Sequence, residues 1–111
     1  MTDEQKKYLT DILKAARLIE EFTIGVDSYS MYEKDLKTQS AVERQLGIIG
    51  ECVNKVERLE PGLAINHAEK IAGLRNRVIH AYDSIDSAII WAILKNHLPK
   101  LKSELEALMK E

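Results

Sequence analysis

One eight-residue segment concentrates the side chains of this chain that are able to do chemistry. Residues 75–82 read Arg-Asn-Arg-Val-Ile-His-Ala-Tyr, which puts two guanidinium groups, an imidazole and a phenol within about two helical turns. A guanidinium group holds the oxygens of a phosphate in a bidentate way, and an imidazole exchanges its proton near neutral pH. The segment therefore combines anion binding with acid–base chemistry.

These groups suit the cleavage of an RNA phosphodiester without a metal ion. The imidazole of His80 would take the proton of the ribose 2′-hydroxyl, because its unperturbed pKa of about 6.5 lies close to neutral pH. The guanidinium of Arg75 would hold the negative charge that gathers around phosphorus in the transition state. A histidine of a partner subunit, or water, would supply the proton of the leaving 5′-oxygen. The expected product is a 2′,3′-cyclic phosphate.

Helical geometry divides the motif between two faces. At 100° per residue, Arg75 and Tyr82 lie about 20° apart around the axis, whereas His80 lies about 140° from Arg75 and close to Asn76 and Arg77. A straight helix therefore does not place Arg75 beside His80. Either the helix unwinds just before His80, or a second copy completes the site across a two-fold axis. The second arrangement predicts a homodimer with a composite cleft.

The rest of the sequence gives little support to other kinds of site. No Cys/His cluster has the spacing of zinc ligands and no glycine-rich loop would cradle phosphate, so we expect no metal and no cofactor. The net charge of −2 means that RNA binding needs a local basic patch. The single Cys52 fits a reducing compartment, and no segment resembles a signal peptide or a membrane span. These features predict a soluble, cytoplasmic protein.

Apolar residues recur at helical spacing along most of the chain, which predicts an all-α fold. We expect an antiparallel bundle of about four long helices plus a short one, formed by residues 1–111 as a single domain. The first predicted helix runs from Asp3 to Thr23, and a short one follows from Ser28 to Lys34. A second long helix starts near Thr38 or Ser40, and a third begins at Asn66 as its N-cap and carries the motif. A last helix starts at Asp86 and kinks near Asn96 to Leu98 because of Pro99.

The chain resembles the HepT-like HEPN ribonucleases over nearly its whole length. Besides the motif, the stretch 41–51 looks like the second long helix of that family, with its Ile-Ile-Gly-Glu core at residues 48–51. Residues 35–39, Trp91 and the turn at residues 95–99 are also similar. Gly47 replaces a glutamate that is frequent in the family, and His97 stands where an aspartate is common. Neither departure touches the motif.

The resemblance implies a function and a partner. Arg75 and His80 would be the catalytic pair of an endoribonuclease toxin in a type VII (HepT/MntA) toxin–antitoxin system, acting on RNA as a homodimer. Tyr82 would be the residue to which an MntA-like minimal nucleotidyltransferase antitoxin adds AMP, and the bulky anion would then repel RNA. Asn76 fits the polar position after the motif arginine. Asn76 and Arg77 are the candidate contacts to RNA phosphates.

Each of these residues also has a structural interpretation. His80 would be favoured near a helix C-terminus by the helix dipole alone. Arg75 would serve as a structural arginine paired with Glu51 or Asp83, and Tyr82 as a residue at the edge of the core. His67 and His97 are expected on the surface, the first at a helix start and the second near the Pro99 kink.

Two other functions compete with the ribonuclease. A non-catalytic helical subunit would bind a minimal nucleotidyltransferase without cleaving RNA, and a structural helical dimer would carry the motif as a vestige. The first predicts tight co-purification with a partner, and neither predicts growth arrest on expression.

Overall fold

The helices account for almost all of the chain that the structure covers. The computed structural model describes residues 2–63, 65–81 and 86–110, and of residues 74, 75 and 77–81 it describes the backbone alone. Within these ranges there are six helices and no strand, so the predicted all-α class is confirmed. The helices are α1 (Asp3–Phe22), α2 (Tyr29–Lys34), α3 (Leu36–Leu59), α4 (Asn66–Ala81), α5 (Ser87–Asn96) and α6 (Leu98–Met109).

Helix α1 runs antiparallel to both of its long neighbours. At its start, the side-chain amide of Gln5 donates a hydrogen bond of 3.0 Å to Glu60, which directly follows α3. At its other end, the carboxylate of Glu20 lies 2.7 Å from the ammonium group of Lys102, near the beginning of α6. The start of α1 therefore meets the end of α3, and the end of α1 meets the start of α6.

Helix α4 closes the arrangement into a ring. Gly50 of α3 lies opposite Ala72 of α4, and Glu57 of α3 is hydrogen-bonded to Glu69 one turn nearer the start of α4. The other side of α4 packs on α6, where the backbone of His67 meets Glu104. The ring order is thus α1, α3, α4, α6, with each helix antiparallel to its neighbours, as the predicted bundle requires.

The core of the ring is an apolar stripe from each of the four helices. Burying such a side chain fully contributes on the order of 1.5–3 kcal/mol, so these stripes supply most of the force that holds the helices together. The fully buried members include Leu9, Ile12, Ile19, Leu46, Ile49, Ile71, Leu101 and Leu105.

Two side-chain caps set where the long helices begin. Thr2 and Gln5 form a reciprocal capping box at α1, which makes Thr2 its N-cap. Helix α3 begins at Leu36, earlier than Thr38 or Ser40, because the carboxylate of Asp35 accepts the backbone N–H of Thr38 at 3.0 Å.

The predicted kink near Pro99 is a complete break. The hydrogen-bond ladder of α5 ends where the N–H of His97 donates to Ile93, and that of α6 starts where the N–H of Leu101 donates to His97. Pro99 has no N–H and stands in the first turn of α6. The break separates α6, which belongs to the ring, from α5, which packs on α2 and α4.

Helices α2 and α5 meet through an aromatic pair at the side of the ring. The rings of Tyr32 and Trp91 lie 5.3 Å apart at an interplanar angle of 32°, which is a favourable tilted arrangement. Lys95 lies over Trp91 at 4.5 Å from the ring centre. The two shorter helices thus form one unit against α3, α4 and α6.

Candidate active site

The motif lies on the second half of α4, which remains helical as far as Ala81. The backbone therefore does not unwind just before His80, and that alternative from the sequence is excluded. Positions 75 and 80 are separated by about 140° around a continuous helix axis. Asn76 is exposed, while the side chains of Arg75, Arg77 and His80 lie outside the described part of the structure.

Two parts of the sequence prediction fall outside the described residues altogether. Tyr82 and Asp83 directly follow α4, in the range 82–85 that the structure leaves undescribed. The proposed ion pair between Arg75 and Glu51 or Asp83 is therefore not tested, and neither is the orientation of the Tyr82 phenol. The roles of Arg75, His80, Tyr82, Asn76 and Arg77 stay predictions.

The first half of α4 anchors the motif to the ring. Ala68, Ile71 and Ala72 are buried against α3 and α6, one turn before the motif begins. Ile65, which precedes the helix, is 2% exposed and joins the same core. Because the helix is continuous, packing of this first half sets the axis along which the motif residues are displayed.

The N-terminus of α4 is capped from another helix. Helix α4 begins at Asn66 as predicted, but Asn66 is not its N-cap. The N–H of Glu69 donates to the carbonyl of Ile65, so Asn66 is already the first helical residue, and its side chain is exposed. The N–H of His67 instead donates to the carboxylate of Glu104 on α6, at 3.2 and 3.5 Å from its two oxygens. A carboxylate also complements the positive end of the helix dipole.

Glu104 belongs to a group of three carboxylates at this end of α4. Partial burial is the main cause that raises the pKa of Glu69, and the charges of Glu57 and Glu104 and a hydrogen bond with Glu57 raise it further. Protonation of Glu69 relieves the repulsion among the three groups, so the cluster carries less than three full negative charges when the pH is low.

Two histidines that the sequence left as separate surface residues lie near each other between α4 and α6. A shallow groove is lined by His67, Pro99, Lys100, Ser103 and Glu104. His97 stands at the adjoining break between α5 and α6, and both histidines are half-buried. The Nδ1 atom of each is buried, with no hydrogen-bond partner among the described residues.

The electrostatics of this groove disfavour a charged histidine. Burial is the main cause that lowers the pKa of His97, and the positive charges of Lys70, Lys100 and His67 lower it further. The surroundings of His97 therefore favour the neutral form of its imidazole. No local pattern in the sequence predicts this group, because its members come from two distant segments that only the fold brings together.

Comparison with known proteins shows to which family the chain belongs. The family described as ribonuclease HepT-like matches residues 12–108, which is most of the chain. The chain belongs to the ribonuclease HepT-like family. No solved structure gives a significant match.

Several curated relatives match 91% or more of the chain. A protein of Thermococcus cleftensis named "Probable ribonuclease HepT" is 39% identical over 114 residues, which cover 99% of this chain and 100% of the relative. A "Putative RNase" of Methanocaldococcus jannaschii is 36% identical over 91% of this chain and 93% of its own length. A third, of the same organism, is named "Gamma-glutamylcyclotransferase and putative RNase"; it is 32% identical over 100% of this chain but only 50% of its own length.

These matches confirm two predictions at the level of the family. The resemblance to HepT-like HEPN ribonucleases is confirmed, and so is the assignment of the chain to the ribonuclease class of enzymes. No described helix is long and apolar enough to cross a membrane.

The cap from Glu104 leads to a stability prediction for this HepT-like chain. Replacing Glu104 by Ala leaves the N–H of His67 without its acceptor, so the free energy of unfolding should fall by roughly 1 kcal/mol, as for the loss of an N-cap. Glu104→Gln keeps an acceptor oxygen and should lose less. Urea denaturation followed by circular dichroism measures both changes.

Glu106 provides the matched control on the same helix. Its ion pair with Arg17 is long, at 3.7 Å, and both side chains are about half exposed, so Glu106→Ala should change stability by less than about 0.5 kcal/mol. Equal losses in Glu104→Ala and Glu106→Ala would show that the cap does not stabilise α4.

Proposed function

We propose that this chain is a metal-independent endoribonuclease and the toxin of a type VII (HepT/MntA) toxin–antitoxin pair. The observation that carries the proposal is the position of the Arg75–His80 motif on the continuous helix α4 of a ribonuclease HepT-like protein. The relatives whose names include ribonuclease or RNase cover nearly the whole chain, which supports RNA as the substrate.

The proposed reaction uses the two motif side chains for separate tasks. His80 accepts the proton of the ribose 2′-hydroxyl, and the 2′-oxygen then attacks the adjacent phosphorus. Arg75 binds the non-bridging oxygens, whose negative charge increases in the transition state. The bond from phosphorus to the 5′-oxygen breaks, and that oxygen receives a proton from water or from a second histidine. The products are a 2′,3′-cyclic phosphate and a free 5′-hydroxyl.

The continuity of α4 supports a site built from two copies. Positions 75 and 80 lie about 140° apart around one helix axis, so we do not expect Arg75 and His80 of the same helix to bind one phosphate together. A two-fold axis beside α4 brings Arg75 of one protomer to His80 of its partner, and a symmetric dimer is the commonest assembly of soluble proteins. The homodimer therefore forms part of the proposed function. Asn76, which is exposed, and Arg77 would contact neighbouring phosphates.

Regulation is proposed to act on Tyr82, which follows α4. An MntA-like nucleotidyltransferase antitoxin would add AMP to its hydroxyl, using ATP as donor and releasing pyrophosphate. At helical spacing, positions 75 and 82 of the sequence would lie about 20° apart around the axis, so the adenylate phosphate would compete with RNA phosphate for Arg75. A toxin that cleaves cellular RNA acts in the cytoplasm, and the proposal includes that location.

The chain is proposed to work as one domain over residues 1–111. The M. jannaschii relative that combines a gamma-glutamylcyclotransferase name with an RNase name matches this chain over only half of its own length. Such a combination supports a unit that folds and acts independently of what it is joined to.

Cleavage in the presence of EDTA tests the proposed reaction. The purified wild-type protein should degrade a labelled RNA oligonucleotide and leave 2′,3′-cyclic phosphate ends, which mass spectrometry detects. His80→Ala and Arg75→Ala should each lower the rate by at least a hundredfold, since each removes a group that acts in the transition state. Arg17→Ala is the control, because Arg17 is an exposed residue of α1 and lies on neither α4 nor the groove beside it. Full activity in both motif variants would reject the assignment, and no cleavage by the wild type would favour the non-catalytic binding subunit.

Co-expression with a candidate antitoxin tests the proposed regulation. The intact mass of the toxin should rise by one or more AMP units, peptide mapping should place them on Tyr82, and the modified protein should no longer cleave RNA. Tyr82→Phe keeps the ring but lacks the hydroxyl that accepts AMP, so it should stay unmodified. Modification confined to another residue would contradict the assignment of Tyr82.

A further inference from the structure

Four basic side chains gather where α4 packs on α6, at the opposite end of α4 from Tyr82. We call this group, made of His67, Lys70, His97 and Lys100, the seam cluster. His67 and Lys100 line one groove, Lys70 lies one turn after His67 on α4, and His97 stands at the break that precedes α6. Lys70 and Lys100 are exposed, whereas both histidines are half-buried.

The acidic groups near the seam cluster are already engaged. Glu104 lines the same groove, but both of its oxygens face the N–H of His67, so its charge is partly neutralised by the start of α4. Glu69 faces Glu57, to which it is hydrogen-bonded. Among the described residues, neither Lys70 nor Lys100 forms an ion pair. Within the described part of the chain, the seam cluster thus presents two ammonium groups that form no ion pair.

The positive charges of the seam cluster act on His97. Besides burial, which is the largest cause, the charges of Lys70, Lys100 and His67 all act on His97 in the direction that keeps it neutral and lowers its pKa. An anion placed between the two helices reverses that effect. The start of α6, which has no side-chain cap, adds N–H groups on the same side.

The location of the seam cluster relative to the motif indicates which anion it would bind. Positions 70 and 77 lie about 20° apart around α4 and roughly 10 Å apart along it, so one stripe of the helix leads from Lys70 to Arg77. A nucleic acid strand that runs along this stripe passes the motif and then reaches the seam cluster. The whole chain carries a net charge of −2, so RNA binding would need local basic patches.

We propose that His67, Lys70, His97 and Lys100 form a second phosphate-binding site for the RNA substrate, which holds nucleotides that flank the bond to be cleaved. The proposal rests on the proposed ribonuclease function for the identity of the ligand. The site acts in binding and takes no part in the chemical step, because it lies several turns away from His80 along α4.

The salt dependence of RNA binding tests this site. The double variant Lys70→Ala/Lys100→Ala removes two phosphate contacts, so the plot of log affinity against log salt concentration should become shallower by about 1.4, at about 0.7 for each phosphate of a single strand. Fluorescence anisotropy with a labelled oligonucleotide, 2′-O-methylated to prevent cleavage, measures the slope. This binding measurement does not depend on whether the protein cleaves RNA.

Two exposed lysines elsewhere supply the control with the same change in net charge. Lys14 of α1 and Lys34 of α2 do not line the groove, so Lys14→Ala/Lys34→Ala should keep the wild-type slope. Equal slopes in the wild type and in Lys70→Ala/Lys100→Ala would overturn the proposal. So would equal reductions in the two double variants, since they would indicate a general effect of charge.

Cleavage kinetics separate failure of this site from failure of the proposed function. For a long RNA, Lys70→Ala/Lys100→Ala should raise KM and leave kcat unchanged, while a dinucleotide too short to reach the seam cluster should show no difference. A lower kcat with an unchanged KM would reject a binding role. Millimolar inorganic phosphate would be added at constant ionic strength. If it inhibited the cleavage of short and long RNA equally, the seam cluster would be assigned to free phosphate instead. If neither the wild type nor any variant cleaved RNA, the proposed ribonuclease function would be rejected. The salt dependence of binding would still test the proposed phosphate site.

Discussion

The packing of the first half of α4 between α3 and α6 is the constraint on which the rest of this structure depends. Ile71 is fully buried there, and the hydrogen bond from the backbone of His67 to Glu104 fixes where the helix starts. A helix whose start is fixed and whose first half is buried has a defined axis and rotation. The residues of its second half, including positions 75 and 80, follow from that rotation at 100° per step. The packing of α4 into the ring therefore determines where the motif positions lie in space.

The break at His97 is the second feature with wide consequences. Because Pro99 lacks an N–H, the chain does not continue α5 as one helix, and α6 takes its own direction into the ring. That direction brings Glu104 to the start of α4 and Lys100 to the side of His67. One proline therefore contributes both to the cap that positions the motif helix and to the basic cluster beside it.

The local parts of this fold were predictable from sequence, and the long-range parts were not. Apolar periodicity located α1 and α3, and Ser28 and Asp86 were correctly placed where α2 and α5 begin, because these signals lie within a few residues of the element they define. Asn66 was mistaken for the cap of α4 because Glu104, the actual acceptor, lies 37 residues further along the chain. The proximity of His67 to His97 was missed for the same reason. For the candidate site, the sequence identified the motif and the family. The angular separation of positions 75 and 80 follows from the sequence once α4 is known to be a continuous helix.

Because positions 75 and 80 lie on different sides of α4, the proposed mechanism needs a site shared by two protomers, and complementation between inactive variants tests for such a site. Arg75→Ala and His80→Ala proteins, each inactive alone, would be co-expressed with different affinity tags, and the mixed dimer would be purified through both tags. In a composite site, one of the two clefts of the mixed dimer receives Arg75 from one protomer and His80 from its partner. The mixed dimer should therefore cleave RNA at about half of the wild-type rate. A mixed dimer as inactive as the two parent variants would contradict it, because Arg75 and His80 would then have to act from the same chain.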